Sequence, residues 1–317
     1  MNVLDIKNLN LSFELENGVF PTLFDVSLSL KEGETHALVG ESGCGKTMTA
    51  MSIIRLLPKN AVITSGEIIY KNQNLLKSTD KEMRLLRGSD IALIPQDPMT
   101  SLNPLYTVGN QLLEIINKDN SISKHDADLK AIEALSKVQL PNPKEKMNSY
   151  PHELSGGMKQ RVIIAMALAS NAKIIIADEP TTALDVTIQA QIMKLLNDIK
   201  TDFKTSVLLI SHDLGLVGEY ADEISVMYSG RIVENARKDD FFTNTTHPYS
   251  NALMEALPAN AKGSVLKTIN GQPPNIQEQI TGCRFFPRCE KKDSDLCKIS
   301  PQTKDIGNQH FVACHKV

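Results

Sequence analysis

A membrane-spanning helix needs about 18–20 consecutive apolar residues, and no apolar run in this sequence approaches that length. The first residues, 1–5, also lack the basic and apolar stretches of a secretory signal peptide. These absences predict a cytoplasmic chain, and any association with a membrane must then come through other subunits.

The chain has little net charge, −3 at pH 7, and therefore no overall electrostatic footprint for nucleic acid. Its composition, with 41% hydrophobic and 22% charged residues, is that of an ordinary globular protein. A length of 317 residues predicts one main domain of about 230–260 residues with a modest appendage.

Cysteine is scarce, with 5 residues, and unevenly placed. Cys44 lies in a glycine-rich stretch, whereas the others crowd toward the end of the sequence, at Cys283, Cys289, Cys297 and Cys314. In a reducing compartment such a cluster indicates a metal site before it indicates disulfides.

Apolar periodicity predicts an α/β core followed by a loop-rich tail. Antiparallel strands are predicted over residues 4–9, 26–30 and 66–70, and buried strands over 36–39, 91–94, 173–177, 206–210 and 224–228. Helices are predicted over 46–57, 157–169 and 186–204, and a helical insert over 108–138. From about residue 240 the periodicity fades and prolines recur. Alternation of buried strands with helices is typical of a parallel sheet.

Residues 40–47, GESGCGKT, satisfy the phosphate-loop pattern G-x-x-x-x-G-K-[ST] between a predicted strand and a predicted helix. The loop consists of Gly40, Glu41, Ser42, Gly43, Cys44, Gly45, Lys46 and Thr47. Glycines let successive backbone N–H groups converge on phosphate oxygens, and the helix N-terminus adds partial positive charge. Lys46 is expected to reach the β- and γ-phosphates, and Thr47 to ligate Mg²⁺. Cys44 is expected to be a small packing residue.

Residues 154–161, LSGGMKQR, provide a second anion-binding helix end. Ser155 is expected to cap a helix whose first turn exposes the N–H groups of Gly156 and Gly157. This segment follows the phosphate loop by about a hundred residues and precedes the acidic strand IIIADE, residues 174–179. In sequence and position it closely resembles the signature of the ABC ATPases.

The resemblance covers about residues 1–250 and implies a nucleotide site completed by a second ATPase subunit. It implies that Asp178 coordinates Mg²⁺, together with Thr47 and Gln96, and that Glu179 polarises the attacking water. His212 matches the histidine that contacts the γ-phosphate. Residues 183–185, Ala183 to Asp185, resemble the dimer-contact loop. Phe13 is implied to stack on adenine, although Phe20 lies nearby and either could belong to the core.

The tail resembles the C-terminal extension of the oligopeptide/dipeptide-transporter subfamily. It carries HPY at residues 247–249, GQPP at 271–274 and the four cysteines from Cys283 to Cys314. In relatives with all four cysteines the extension is understood to hold a 4Fe–4S cluster. Four thiolates also suit tetrahedral zinc, although these intervals fit no standard zinc-ribbon spacing. Unligated or disulfide-forming cysteines remain a third reading.

Together these features predict an α/β P-loop NTPase of ABC type. Its expected parts are a RecA-like parallel sheet, an antiparallel β subdomain, a helical subdomain with the signature, and a small loop-rich metal-binding extension. The ATPase domain is expected over residues 1–245, with its helical insert at about 97–160, and the extension over 246–317.

The expected function is ATP hydrolysis that energises import of di- or oligopeptides. The expected partners are a second ATPase subunit, for which the subfamily favours a paralogue over a second copy, two transmembrane permeases and, through them, an extracellular solute-binding protein. The chain is expected at the cytoplasmic face of the membrane. A nickel or metal-chelate importer is the alternative, and a non-transport ABC ATPase fits less well because the chain has one phosphate loop and one signature. An ATP-binding module without turnover is disfavoured by intact Glu179 and His212.

Overall fold

The computed structural model describes residues 1–118, 122–182, 184–257, 268–275, 277–278 and 280–317. These residues form two compact units. We call residues 1–78 with 209–317 the split unit, and residues 79–208 the central unit.

An antiparallel sheet occupies the N-terminal part of the split unit. Its strands lie in the order β2-β1-β4-β5. Their bounds are β1 Asn2–Leu15, β2 Gly18–Lys31, β4 Ala61–Tyr70 and β5 Gln73–Asn74. The three antiparallel strands predicted from the sequence are therefore confirmed, as parts of longer strands.

A second group of paired strands in the split unit begins with β3, Thr35–Val39, in which every residue is buried. β3 pairs in parallel with β9, and β9 pairs with β10 in antiparallel register. β10 then pairs with β12, and β12 with β11. The remaining bounds are β9 Glu223–Tyr228, β10 Arg231–Arg237, β11 Lys304–Asp305 and β12 Phe311–Val312. Residues from the tail thus extend the sheet that contains β3, the strand that leads into the phosphate loop.

The helices of the split unit are short. They are α1 Lys46–Ile53, α9 Leu214–Tyr220, α10 Lys238–Asn244 and α11 Pro248–Glu255. The prediction that α1 continues to residue 57 was wrong, because Arg55 adopts a left-handed backbone conformation with φ of 51°. The expectation that periodic structure fades near residue 240 missed α10 and α11.

The central unit combines two parallel strands with seven α-helices among its described residues. β6 (Ile91–Ile94) pairs with β7 (Ile174–Asp178), with Ile91 opposite Ile174. The helices are α2 Asp80–Leu86, α3 Pro98–Ser101, α4 Val108–Ile116, α5 Lys124–Lys137, α6 Pro143–Lys146, α7 Gly156–Ala169 and α8 Val186–Phe203. The helical structure predicted over residues 108–138 is confirmed as α4 and α5. β8 (Ser206–Ser211) falls on both sides of the boundary between the units.

None of the helices in the described part of the chain combines the length and apolarity needed to cross a membrane.

A buried carboxylate joins the tail to β10. Glu234 is 0% exposed and accepts hydrogen bonds from the backbone N–H groups of Thr246, at 2.8 Å, and His247, at 3.0 Å. Its Oε1 also lies 2.8 Å from Nε2 of His310, a side chain 4% exposed. Because a buried charge is costly unless it is fully hydrogen-bonded, this network holds the start of α11 and the segment before β12 against one strand.

His247 is the N-cap residue of α11, a position more often occupied by Ser, Thr, Asp or Asn. Its Nδ1 accepts a hydrogen bond from the N–H of Tyr249 at 3.1 Å, and Pro248 occupies the first helical position. Burial lowers the pKa of His247 to about 3, so its imidazole is neutral and keeps the lone pair that the cap requires. The cap fixes where Tyr249 enters the core of the split unit.

We predict that Glu234→Ala lowers the free energy of unfolding by about 3 kcal/mol, because it leaves buried His310 and the N–H groups of Thr246 and His247 without their acceptor. Urea unfolding followed by circular dichroism measures this. The control is Glu14→Ala, which removes an exposed glutamate from β1 of the same unit. Equal unfolding midpoints for the two variants would contradict the role given to Glu234.

Candidate nucleotide-binding site

The phosphate loop connects β3 to α1, as its sequence predicts. Gly40, Gly43 and Gly45 have φ of 153°, 77° and 111°, a range that side-chain-bearing residues rarely adopt. A Cβ atom on Gly40 would lie 2.2 Å from the carbonyl oxygen of Met227 in β9. The loop therefore takes its shape from glycine at the point where its backbone meets the neighbouring strand.

Lys46 lies inside this loop. Its side chain is 4% exposed, and its Nζ donates to the carbonyl oxygens of Gly40, at 2.9 Å, and Glu41, at 3.1 Å. Both acceptors are uncharged, so a phosphate oxygen would be a stronger partner for the ammonium group. The lysine is thus held at the loop in a position from which it can exchange these carbonyls for phosphate.

Cys44 is a packing residue in this structure. It is 6% exposed, its carbonyl accepts the N–H of Gly230 at 2.7 Å, and burial raises the pKa of its thiol. A raised pKa disfavours the reactive thiolate form. Ser42 and Gly43, by contrast, are exposed at the tip of the loop.

Two adjacent acids end β7 in the central unit. Asp178 is 2% exposed at the end of a fully buried strand. Glu179 follows with a left-handed φ of 46°, which turns the chain sharply away from the strand. Such a conformation is unfavourable for a residue with a side chain, and strain of this kind is concentrated at functional sites.

The structure brings Gln96 and Glu179 together. Oε2 of Glu179 accepts hydrogen bonds from Nε2 of Gln96 at 3.1 Å and from Oγ1 of Thr182 at 2.9 Å. Thr182 was not among the predicted site residues. The available signal was its place three residues after Glu179, in the turn where the N–H of Thr182 also donates to the Glu179 carbonyl at 3.2 Å.

The signature forms the exposed start of α7. Oγ of Ser155 accepts a hydrogen bond from the N–H of Met158 at 3.4 Å, and Ser155 is exposed. A Cβ atom on Gly156 would meet nothing within 4 Å, whereas one on Gly157 would lie 3.2 Å from Ile188. At Gly156 the first turn of the helix therefore faces open space that an anion could enter.

Other predicted site residues lie at the ends of strands and helices. Asp185 is exposed and caps α8, accepting the N–H of Ile188 at 3.0 Å. His212 is exposed and directly follows β8. Ala183, in the predicted dimer-contact loop, lies outside the described residues.

Phe13 and Phe20 lie opposite each other in the β1–β2 register, and both are partly exposed. The register therefore places both candidates for the adenine contact at one point of the hairpin.

The cysteines of the tail lie in one small region without forming a metal site. Among the described residues, no group of three or more His, Cys, Asp or Glu side chains is arranged to hold a metal ion. The N–H of Cys283 nevertheless donates to the carbonyl of Cys297 at 2.9 Å. Burial raises the pKa of the Cys283 thiol, and the neighbouring thiols of Cys297, Cys289 and Cys314 raise it as well.

Comparison with protein-family models finds two matches. Residues 23–182 match the model described as ABC transporter, and residues 233–297 match the model described as oligopeptide/dipeptide transporter, C-terminal region.

Curated relatives match almost the whole chain. A probable peptide ABC transporter ATP-binding protein, y4tR, from Sinorhizobium fredii is 46% identical over 98% of this chain and 94% of its own. The dipeptide transport ATP-binding protein DppD of Bacillus subtilis is 45% identical, again over 98% and 94%. The oligopeptide transport ATP-binding protein OppD of Escherichia coli is 42% identical over 99% and 93%.

The fold is similar to that of solved ATP-binding cassettes. A dimeric post-hydrolysis structure of the cassette MJ0796, bound to ADP and Pi, gives a TM-score of 0.67 at 29% identity, covering 74% of this chain and 98% of that one. The predicted α/β fold of ABC type is thereby confirmed. The phosphate loop, the acidic strand end and the signature, together with these likenesses, assign the chain to the ABC transporter family, as an ATP-hydrolysing subunit of the kind that carries the oligopeptide/dipeptide transporter C-terminal region.

Proposed function

We propose that this chain hydrolyses ATP to drive uptake of di- or oligopeptides through a membrane complex. The observation that carries the proposal is similarity over 98% of the chain, tail included, to relatives named as peptide and dipeptide transport ATP-binding proteins. The match of residues 233–297 to the C-terminal region of oligopeptide/dipeptide transporters supports the same class of cargo.

The triphosphate binds at residues 40–47, where backbone N–H groups and Lys46 take the negative charge. Thr47 and Asp178, with Gln96, are the residues that would hold Mg²⁺. The donor set fits this ion, because it offers hydroxyl, carboxylate and amide oxygens and Asp178 is a nearly buried acid that a cation would stabilise. The ion would offset negative charge on the β- and γ-phosphates.

Glu179 positions and polarises the attacking water. Its Oε2 is held by Gln96 and Thr182, at 3.1 and 2.9 Å, which restricts the carboxylate to one orientation. Positioning of this kind supplies much of the rate enhancement in phosphoryl transfer. His212 contacts the γ-phosphate, and Phe13 stacks on the adenine.

The second half of the site comes from another ATPase subunit. The helix start at Ser155, Gly156 and Gly157, of which Ser155 is exposed and the two glycines are partly exposed, presents N–H groups that can close on a γ-phosphate held by the neighbour. Asp185 lies in the loop that contacts that neighbour. The related cassette MJ0796 was solved as a dimer, which supports this arrangement. The partner is a paralogue or a second copy.

The assembly includes two transmembrane permeases that carry the cargo, and a solute-binding protein that delivers it from outside. The chain is peripheral at the cytoplasmic face, because the family works in membrane complexes. Residues 1–245 form the ATPase domain, with its helical insert at 97–160, and residues 246–317 form the extension. The pairing of β12 with β10 means that this extension completes a sheet of the ATPase domain.

The cargo proposal predicts that the purified complex, in liposomes with its binding protein, hydrolyses ATP faster when di- or oligopeptides are supplied and accumulates them. Radiolabelled uptake and phosphate release measure this. Nickel or a nickel chelate is the matched alternative substrate. Stimulation by nickel alone would replace the peptide assignment, and hydrolysis indifferent to permeases and to every cargo would contradict a transport role.

The role of Glu179 predicts that Glu179→Gln retains ATP binding and lowers turnover by about 10²–10⁴-fold, because the amide cannot polarise water in the same way. Fluorescent-nucleotide titration and steady-state phosphate release separate the two effects. Glu145→Gln, in the exposed helix α6 of the same unit, serves as the control. Turnover by Glu179→Gln at the wild-type rate would show that another group does this work.

The cluster expected at Cys283, Cys289, Cys297 and Cys314 stays a prediction. Its support is four thiols within electrostatic reach of one another, although the described residues do not form a metal site. Thiolates are the ligands that iron–sulfur clusters require. Protein purified without oxygen should be brown and contain iron and sulfide. Colourless protein with stoichiometric zinc, or with no metal, would refute the cluster.

A further inference from the structure

The tail reaches the phosphate loop through an ion pair. The guanidinium of Arg288 binds the carboxylate of Glu41 in a bidentate manner, Nη1 to Oε2 at 2.5 Å and Nη2 to Oε1 at 2.9 Å. The Arg288 side chain is 4% exposed and that of Glu41 27%. Parallel guanidinium–carboxylate hydrogen bonds fix both groups in orientation as well as in distance.

A second contact from the tail holds the backbone of the same residue. The N–H of Glu41 donates to the hydroxyl oxygen of Tyr249 at 2.9 Å. On the other side, the Glu41 carbonyl accepts from Nζ of Lys46 at 3.1 Å. Glu41 is therefore held by side chain and N–H from the tail, while its carbonyl holds the lysine of the loop.

Tyr249 and Arg288 are both held in place by neighbouring groups. The rings of Tyr228, Tyr249 and Phe285 pack together, with centroids 4.6 Å apart for the two tyrosines and 5.1 and 5.3 Å from each to Phe285. Nε of Arg288 donates to the Asn270 carbonyl at 3.0 Å. The guanidinium of Arg288 also lies over the Tyr228 ring, 5.7 Å from its centroid, so this ring and the Asn270 carbonyl together restrict Arg288 at Glu41.

The phosphate-loop pattern does not itself require these contacts. Glu41 is one of its four unrestricted positions, and the general pattern accepts any residue there. Here the position is occupied by an acid that a largely buried arginine recognises. Any effect of Glu41 on the loop conformation therefore comes through its contacts with the tail and not from the phosphate-loop pattern.

We infer that Arg288 and Tyr249 are positioning residues for the nucleotide site, because they clamp Glu41 and hold the phosphate loop in its binding conformation. This inference rests on the proposed nucleotide site and adds the tail to it. Preorganisation lowers the free-energy cost of ordering a loop when ligand binds, so loss of the clamp should appear as weaker ATP binding.

The first test uses Tyr249→Phe, which keeps the ring and removes the acceptor of the Glu41 N–H. Arg288→Gln removes the charge from the other arm. Each variant should raise the Kd for ATP by about fivefold or more, with the KM for ATP rising and kcat changing less. Lys298→Gln is the matched control, because Lys298 is an exposed tail cation paired with Asp295. Its Kd should equal that of the wild type.

A double-mutant cycle separates positioning from general stability. Glu41→Gln and Arg288→Gln act on one interaction, so the double variant should bind ATP about as weakly as either single variant. Thermal unfolding is recorded alongside. If the variants unfold earlier but bind ATP with the wild-type Kd, the contact is structural and the inference is wrong. Additive losses in the cycle would also overturn it.

Lys46→Ala distinguishes failure of the clamp from failure of the nucleotide site. It should abolish ATP binding whatever the tail does. Loss of binding in Lys46→Ala with normal binding in the clamp variants would reject the clamp and leave the site intact. Normal binding in Lys46→Ala would reject the site itself. Should Arg288→Gln fail to fold, Tyr249→Phe still decides the question.

Discussion

The close approach of the phosphate loop to β9 is the constraint on which the split unit depends. Gly40 lies so near the backbone of Met227 that a single methyl group would overlap its carbonyl oxygen at 2.2 Å. This contact places the loop directly over the strand whose last residue, Tyr228, carries the aromatic base of the tail. The phosphate loop and the tail therefore both contact β9, and glycine at position 40 allows the loop to come this close to the strand.

Hydrogen bonds, strand pairing and an ion pair connect the tail to the rest of the split unit. Glu234 binds it through the start of α11 and through His310, β12 pairs with β10, and Arg288 binds Glu41. Each contact brings a polar or charged group into a largely buried setting, where an unsatisfied partner would be costly. These contacts are linked through His247. Its N–H donates to Glu234, and its side chain caps the helix that carries Tyr249. A tail that looks like a separate appendage by sequence is thus part of the core.

Local patterns were enough to predict much of this protein. The phosphate loop, the buried acidic strand and the capped helix at Ser155 follow from glycine spacing, apolar runs and capping chemistry within a few residues. The end of α1 and the short helices α10 and α11 were missed, because tertiary packing and not propensity decides such short elements. Thr182 was missed because its role depends on the left-handed turn at Glu179. The contact between Glu41 and Arg288 leaves no local signal at all, since neither residue is unusual in its own segment.

That contact also bears on how the protein is made. Glu41 and Arg288 are 247 positions apart in the chain. During synthesis from the N-terminus, β3, the phosphate loop and α1 leave the ribosome long before their tail contacts exist. The loop is first assembled without its arginine and tyrosine, and it acquires them only once the segment around residue 288 has emerged. A nascent chain at the earlier stage carries the complete phosphate-loop sequence without the contacts from Arg288 and Tyr249, so these contacts form only after the tail has been translated.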